Sequence, residues 1–119
     1  MITHEQMVAA LRKPGDAIAA TVDAQKLDLL HMAVGVAGEA GELLDAFKKH
    51  VFYNKPLDLA NVVEELGDIE FYLQGIRAML NLQREVILRE NMDKLLTGEK
   101  ARYKFGYSDA AAQARSDKA

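Results

Sequence analysis

Apolar residues set the frame of this chain. Leu27, Leu30, Val34, Ala37, Gly41, Leu44 and Val51 recur at steps of three and four, or, from Leu44 to Val51, of their sum. That spacing predicts a long helix from near Asp23 to about Phe52 with one apolar stripe. Asn54-Lys55-Pro56 interrupts it, because a proline disfavours helix in the residue before it. Asp58 then caps a third helix over 59–80, whose stripe is Leu59, Val62, Leu66, Ile69, Leu73, Ile76 and Leu80, close to an unbroken heptad. A short leading helix is expected over 3–12, with Thr3 as N-cap and Pro14-Gly15 as its stop, followed by a partly helical linker. A fourth helix is expected over 82–97, capped by Asn81, with Leu88, Met92 and Leu95 inward and Thr97-Gly98 ending it. No stretch alternates apolar and polar residues as a strand would. The expected class is all-α: one domain over 1–119, a core at about 23–97, and a tail at 99–119 partly extended or frayed.

Composition narrows the function classes. Half of the 119 residues are apolar and 28% are charged, enough apolar matter for a packed core rather than a disordered chain. A net charge of −3 gives no reason to expect a nucleic-acid partner. There is no cysteine, which rules out disulfides and thiolate metal sites and makes a cytoplasmic location the simplest expectation. No stretch approaches the ~20 apolar residues that span a bilayer, so no membrane partner is expected.

Two acidic stretches carry the candidate chemistry. Gly38-Glu39-Ala40-Gly41-Glu42 and Glu64-Glu65-Leu66-Gly67-Asp68 each place two carboxylates three residues apart, on one helix face. Two such helices side by side would gather Glu39, Glu42, Glu65 and Asp68. A solvated acidic face usually pairs its acids with Lys or Arg at i+4; here those positions hold Leu43, Ala46, Ile69 and Tyr72. Unpaired acids brought together repel one another and call for a cation, and hard divalent ions take oxygen ligands. Gly35, Gly38 and Gly41 lie inside the long helix, where each costs ~1 kcal/mol relative to alanine, so they point to close approach of another group. At 100° per residue Gly35 and Gly38 fall with His31, Glu39, Glu42 and Ala46, away from the leucine stripe. Glu64 stands i,i+4 to Asp68, which leaves a Glu64/Asp68 ligand pair as an alternative.

The block HMAVGVAGEAGELLDAFKKHVFYNKP, followed by VVEELGDIEFYL, resembles the MazG-like nucleoside triphosphate pyrophosphatases over about residues 27–107. The resemblance implies an all-α helical bundle completed by dimerisation, with Mg²⁺ as cofactor and Mn²⁺ as a substitute. It implies cleavage of the α–β phosphoanhydride of a nucleoside triphosphate to a monophosphate and pyrophosphate, by a homodimer or homotetramer. Glu39, Glu42, Glu65 and Asp68 match the family's metal ligands. Asn91 and Lys94 match its downstream Asn-x-x-Lys substrate element, and Arg102-Tyr103 its Arg-Tyr. The segment before Arg102 is longer than usual, and Lys104 replaces a proline.

The remaining cations fit the same picture. Lys48, Lys49 and Lys55, with His50, follow the acidic helix; they suit either a helix C-terminus or capture of substrate phosphates. Glu42 and Glu64 are candidates to orient the attacking water. Two competing readings remain: a phosphoribosyl-ATP pyrophosphohydrolase, and a non-catalytic helical module that binds nucleotide or metal. Apolar residues around more than a narrow stripe on the two long helices predict burial against another copy of the chain.

Overall fold

The computed structural model describes residues 1–118; helix makes up 73% of these residues and no strand is present among them. The helices are α1 (His4–Leu11), α2 (Gly15–Ala19), α3 (Ala24–Phe52), α4 (Leu59–Met79), α5 (Arg84–Met92) and α6 (Asp109–Ala114), with a π-helical turn at Asp93–Thr97. No helix among the described residues is long and apolar enough to cross a membrane. The chain divides into two compact units, Met1–Tyr72 and Leu73 onward. The boundary falls within α4.

In the first unit local chemistry sets the helix starts. Thr3 accepts from the Gln6 amide at 3.1 Å while the Gln6 side chain accepts from the Thr3 amide at 2.8 Å, a reciprocal capping box. Asp23 caps α3 through the Lys26 amide at 2.8 Å, and Asp58 accepts from the Asn61 amide at 3.1 Å at the start of α4. Asn54, at φ 50°, turns the chain out of α3 in the left-handed region that asparagine tolerates. His50 Nδ1 lies 2.8 Å from the Lys55 carbonyl. A carbonyl can only accept, so Nδ1 carries the hydrogen.

The covered side of α3 is not its leucine stripe. Ala46 is buried, and Met32, Gly35, Val36, Glu39 and Leu43 are half-buried, a run at helical spacing. The stripe residues Leu27, Leu30, Val34, Leu44 and Val51 are all exposed, from 52% to 68%. On α4, Val62 and Glu65 are buried and Ile69 is half-buried, whereas Leu59 and Leu66 face solvent. Gly35 accounts for part of this arrangement. The Tyr72 ring lies against its Cα, where a Cβ would collide with it. The helix therefore turns its small and acidic side, rather than its leucines, toward α4.

In the second unit, α4 ends in a Schellman motif. Leu82 donates to the Arg77 carbonyl at 2.9 Å and Asn81 to that of Ala78 at 3.3 Å, with Asn81 at φ 52°. Asn81 thus terminates α4 instead of capping the next helix, a correction to the expected start at 82; Gln83 precedes α5 with no side-chain cap. The expected fourth helix is α5 plus the π turn. That turn closes with the Gly98 amide on the Asp93 carbonyl at 2.9 Å, and a Cβ on Gly98 would lie 2.5 Å from that oxygen. The carbonyls of Lys94 and Leu95 then accept from the amides of Arg102 at 3.0 Å and Tyr103 at 2.8 Å. The following segment, expected to be partly extended or frayed, includes α6, capped by Ser108, and a 3₁₀ turn at Ser116–Lys118.

Candidate metal centre

The first unit brings together carboxylates from both long helices. Glu39 of α3 and Glu65 and Asp68 of α4 each offer an oxygen, and these atoms lie within 4.8 Å of one another. Ligand oxygens about 2.1 Å from an octahedral Mg²⁺ stand ~3 Å apart when adjacent and ~4 Å when opposed, so side-chain adjustments of about 1–2 Å would close a shared coordination shell.

Glu65 is the most constrained of the three. It is 9% exposed, and its Oε2 is buried with no hydrogen-bond partner. A hydrogen bond shared with Glu39 favours its protonated form. Burial acts in the same direction, as does repulsion from Glu39, Asp68 and Glu42, and together they raise its pKa to about 7. A buried carboxylate oxygen lacking a donor carries a desolvation penalty that a cation removes. The donor set is all oxygen, which suits Mg²⁺ or Mn²⁺.

Glu42 stands one turn along α3 and is exposed. Its charge reaches Glu65, but it lies outside the group of three. Glu64 is exposed as well, which separates it from the buried Glu65 beside it. Among the cations, Lys49 is paired with Asp45 at 2.9 Å across one helical turn, an exposed contact that holds the Asp45 carboxyl below its ordinary range. Lys48 stands 5.9 Å from the Tyr53 ring centroid. Lys55 is exposed, and its backbone carbonyl is what His50 contacts.

The other expected substrate residues belong to the second unit. Asn91 is exposed, and Lys94 sits in the π turn. Tyr103 stacks on Tyr107 with centroids 5.6 Å apart. Arg102 is held by Asp117 through two bonds, Nε–Oδ1 at 2.8 Å and an amino group to Oδ2 at 3.1 Å. Sequence reasoning missed Asp117 entirely. It lies in a polar, alanine-rich segment with no periodicity, and nothing local marks it as the partner of a residue 15 positions earlier.

No protein-family model, curated protein or solved structure matches this chain.

Proposed function

We propose that this protein is a Mg²⁺-dependent nucleoside triphosphate pyrophosphohydrolase that cleaves between the α- and β-phosphates. The observation that carries this reading is the Glu39–Glu65–Asp68 cluster, with a buried Glu65 oxygen that has no partner. The resemblance of GEAGEL and EELGD to the MazG-like enzymes supports it from the sequence side. Glu39, Glu65 and Asp68 would hold the metal, and Glu42 adds charge from the next turn of α3. Bound Mg²⁺ would polarise the α-phosphoryl group and lower the pKa of a bound water. Glu65 must give up its proton for the site to fill, so binding and turnover gain as pH rises through about 7. Glu42 and Glu64, exposed beside the cluster, are the carboxylates free to orient the attacking water. Lys48 and Lys55 would supply positive charge to neutralise a pyrophosphate leaving group. The active form is a homodimer or homotetramer in which a second copy covers the exposed leucine stripe of α3.

The test is a panel of ribo- and deoxynucleoside triphosphates with Mg²⁺ in ¹⁸O-water. Monophosphate carrying the label, together with unlabelled pyrophosphate, is expected. Release of inorganic phosphate as first product, or no turnover of any triphosphate, overturns the proposal.

A further inference from the structure

The acidic cluster lies one helical turn from a close approach of the two helices that carry it. On α3, Gly35 precedes Glu39 by four residues; on α4, Tyr72 follows Asp68 by four. The Tyr72 ring lies against Gly35, where a Cβ would overlap Cγ, Cδ1 and Cε1 of the ring. Gly35 meets Tyr72, while Glu39 meets Glu65 and Asp68, so the two helices run antiparallel. Four residues along each then lead from the aromatic contact to the carboxylates, ~6 Å along the axis. Contact and cluster both belong to the first unit. The glycines nearer the carboxylates are different: nothing lies within 4 Å of a Cβ built on Gly38, Gly41 or Gly67.

This contact acts as a stop between the helices. With no side chain on Gly35, the ring rests on backbone, which does not yield as a flexible side chain would. Phe71 meets the Tyr72 ring edge to face, with centroids 5.1 Å apart and planes at 89°, a favoured aromatic geometry that holds the ring in place. A methyl group on residue 35 would need about 1 Å or more of extra room, because carbons pack at about 3.5–4.0 Å. An opening of that size matters at the carboxylates. Mg²⁺ holds oxygens at about 2.0–2.1 Å in near-octahedral geometry, whereas Ca²⁺ accepts about 2.3–2.6 Å and looser arrangements, so selectivity between them follows the width and flexibility of a site. The ligand atoms here lie within 4.8 Å of one another, and Glu65, 9% exposed with Oε2 buried and unpartnered, has little freedom to follow a widening gap.

We propose that the Gly35–Tyr72 contact is a spacer that sets the width of the Glu39–Glu65–Asp68 site and thereby its preference for small over large divalent cations. Tyr72 is a positioning residue: it acts through the separation of α3 and α4 and is not itself a ligand. The inference rests on the reading of this cluster as a metal site. Ring carbons make the contact, so the Tyr72 hydroxyl is dispensable for it.

The test titrates Mg²⁺ and Ca²⁺ calorimetrically into the metal-free full chain and reads the ratio of the two affinities. Gly35→Ala, which widens the site, should weaken Mg²⁺ binding by about tenfold or more and Ca²⁺ binding less, so the ratio falls. Tyr72→Leu removes the stop, lets the helices close, and should move the ratio the other way. Gly35→Ala/Tyr72→Leu should return it toward wild type. Tyr72→Phe keeps the ring, and Gly38→Ala adds the same methyl where nothing meets it, so both should leave the ratio unchanged. A contact that only stabilised the fold would weaken both cations alike. Equal losses in Gly35→Ala, or an unchanged ratio beside a wild type that binds, therefore overturn the spacer. Should Gly35→Ala lose helix by circular dichroism, Tyr72→Leu decides, and an unchanged ratio there overturns the proposal. A wild type that binds neither cation would instead overturn the metal reading, and the spacer with it.

Discussion

Glu65 ties the stability of the folded chain to pH. Its pKa rises from 4.5 to about 7 on folding, so between those values the folded chain holds a proton that the unfolded chain has released. The stabilising contribution is complete below about pH 4.5 and is lost as pH rises through about 7. Metal-free protein should therefore melt at a lower temperature at pH 8 than at pH 5.5, and Glu65→Gln should flatten that dependence by removing the titrating group. Added Mg²⁺ should raise the melting temperature more at pH 8 than at pH 5.5, because a proton competes at the lower value. Equal Mg²⁺ shifts at both would count against the site. For turnover, Glu39→Gln, Glu65→Gln and Asp68→Asn should each cost about a hundredfold or more, since even residues that only orient metal ligands cost 10–100-fold. Glu42→Gln should weaken Mg²⁺ binding with helix content unchanged. Near-normal activity in any two of the first three variants would sink the assignment of ligands.

At the scale of the element, the glycines of α3 separate into two kinds. Nothing lies within 4 Å of a Cβ placed on Gly38 or Gly41, whereas on Gly35 it would collide with the Tyr72 ring. Gly38→Ala should therefore add up to about 1 kcal/mol of helix stability. Gly35→Ala gains the same propensity but forces the ring aside, and overpacking of this kind costs about 1–3 kcal/mol, so the net effect should be neutral to destabilising. Urea unfolding of the two variants decides it. A Gly35→Ala protein as stabilised as Gly38→Ala would show that the ring moves freely. The two long helices were legible because stripe, cap and breaker agree at each end: Asp23 and Asp58 open them, and Asn54-Lys55-Pro56 separates them. Asn81 was misplaced because asparagine serves both as an N-cap and as a left-handed helix terminator, and only the bonds from Asn81 and Leu82 back to Ala78 and Arg77 separate the two roles. The π turn carries no local sequence signature; it exists because Arg102 and Tyr103 return to take the carbonyls of Lys94 and Leu95.

For the molecule as a whole, the exposed stripe on α3 is the feature that a single chain leaves unsettled. Leu27, Leu30, Val34, Leu44 and Val51 lie along one side of the helix and are all more than half exposed, an apolar surface that suits burial against another chain. Light scattering at micromolar concentration should find a dimer or tetramer. Leu30→Glu/Leu44→Glu, both at positions more than half exposed within the chain, should dissociate it while helix content in circular dichroism persists. An active wild-type monomer would overturn the shared interface.

The sequence by itself determined the helical class, the bounds of α3 and α4, and the two acidic stretches, because helix periodicity, caps and proline act over a few residues. It also placed Glu39, Glu65 and Asp68 on faces that could meet. What it could not rank was which side of α3 is covered within the chain. Leucine content favours one side, but the collision-free approach of Tyr72 at Gly35 selects the other, and that is a property of two surfaces together. The same holds for the protonation of Glu65, which arises from a hydrogen bond and like charges on separate helices, and for Asp117, whose partner is fixed only once the chain has turned back on itself. Contacts between distant residues depend on the geometry of everything between them, and only the tertiary structure supplies it.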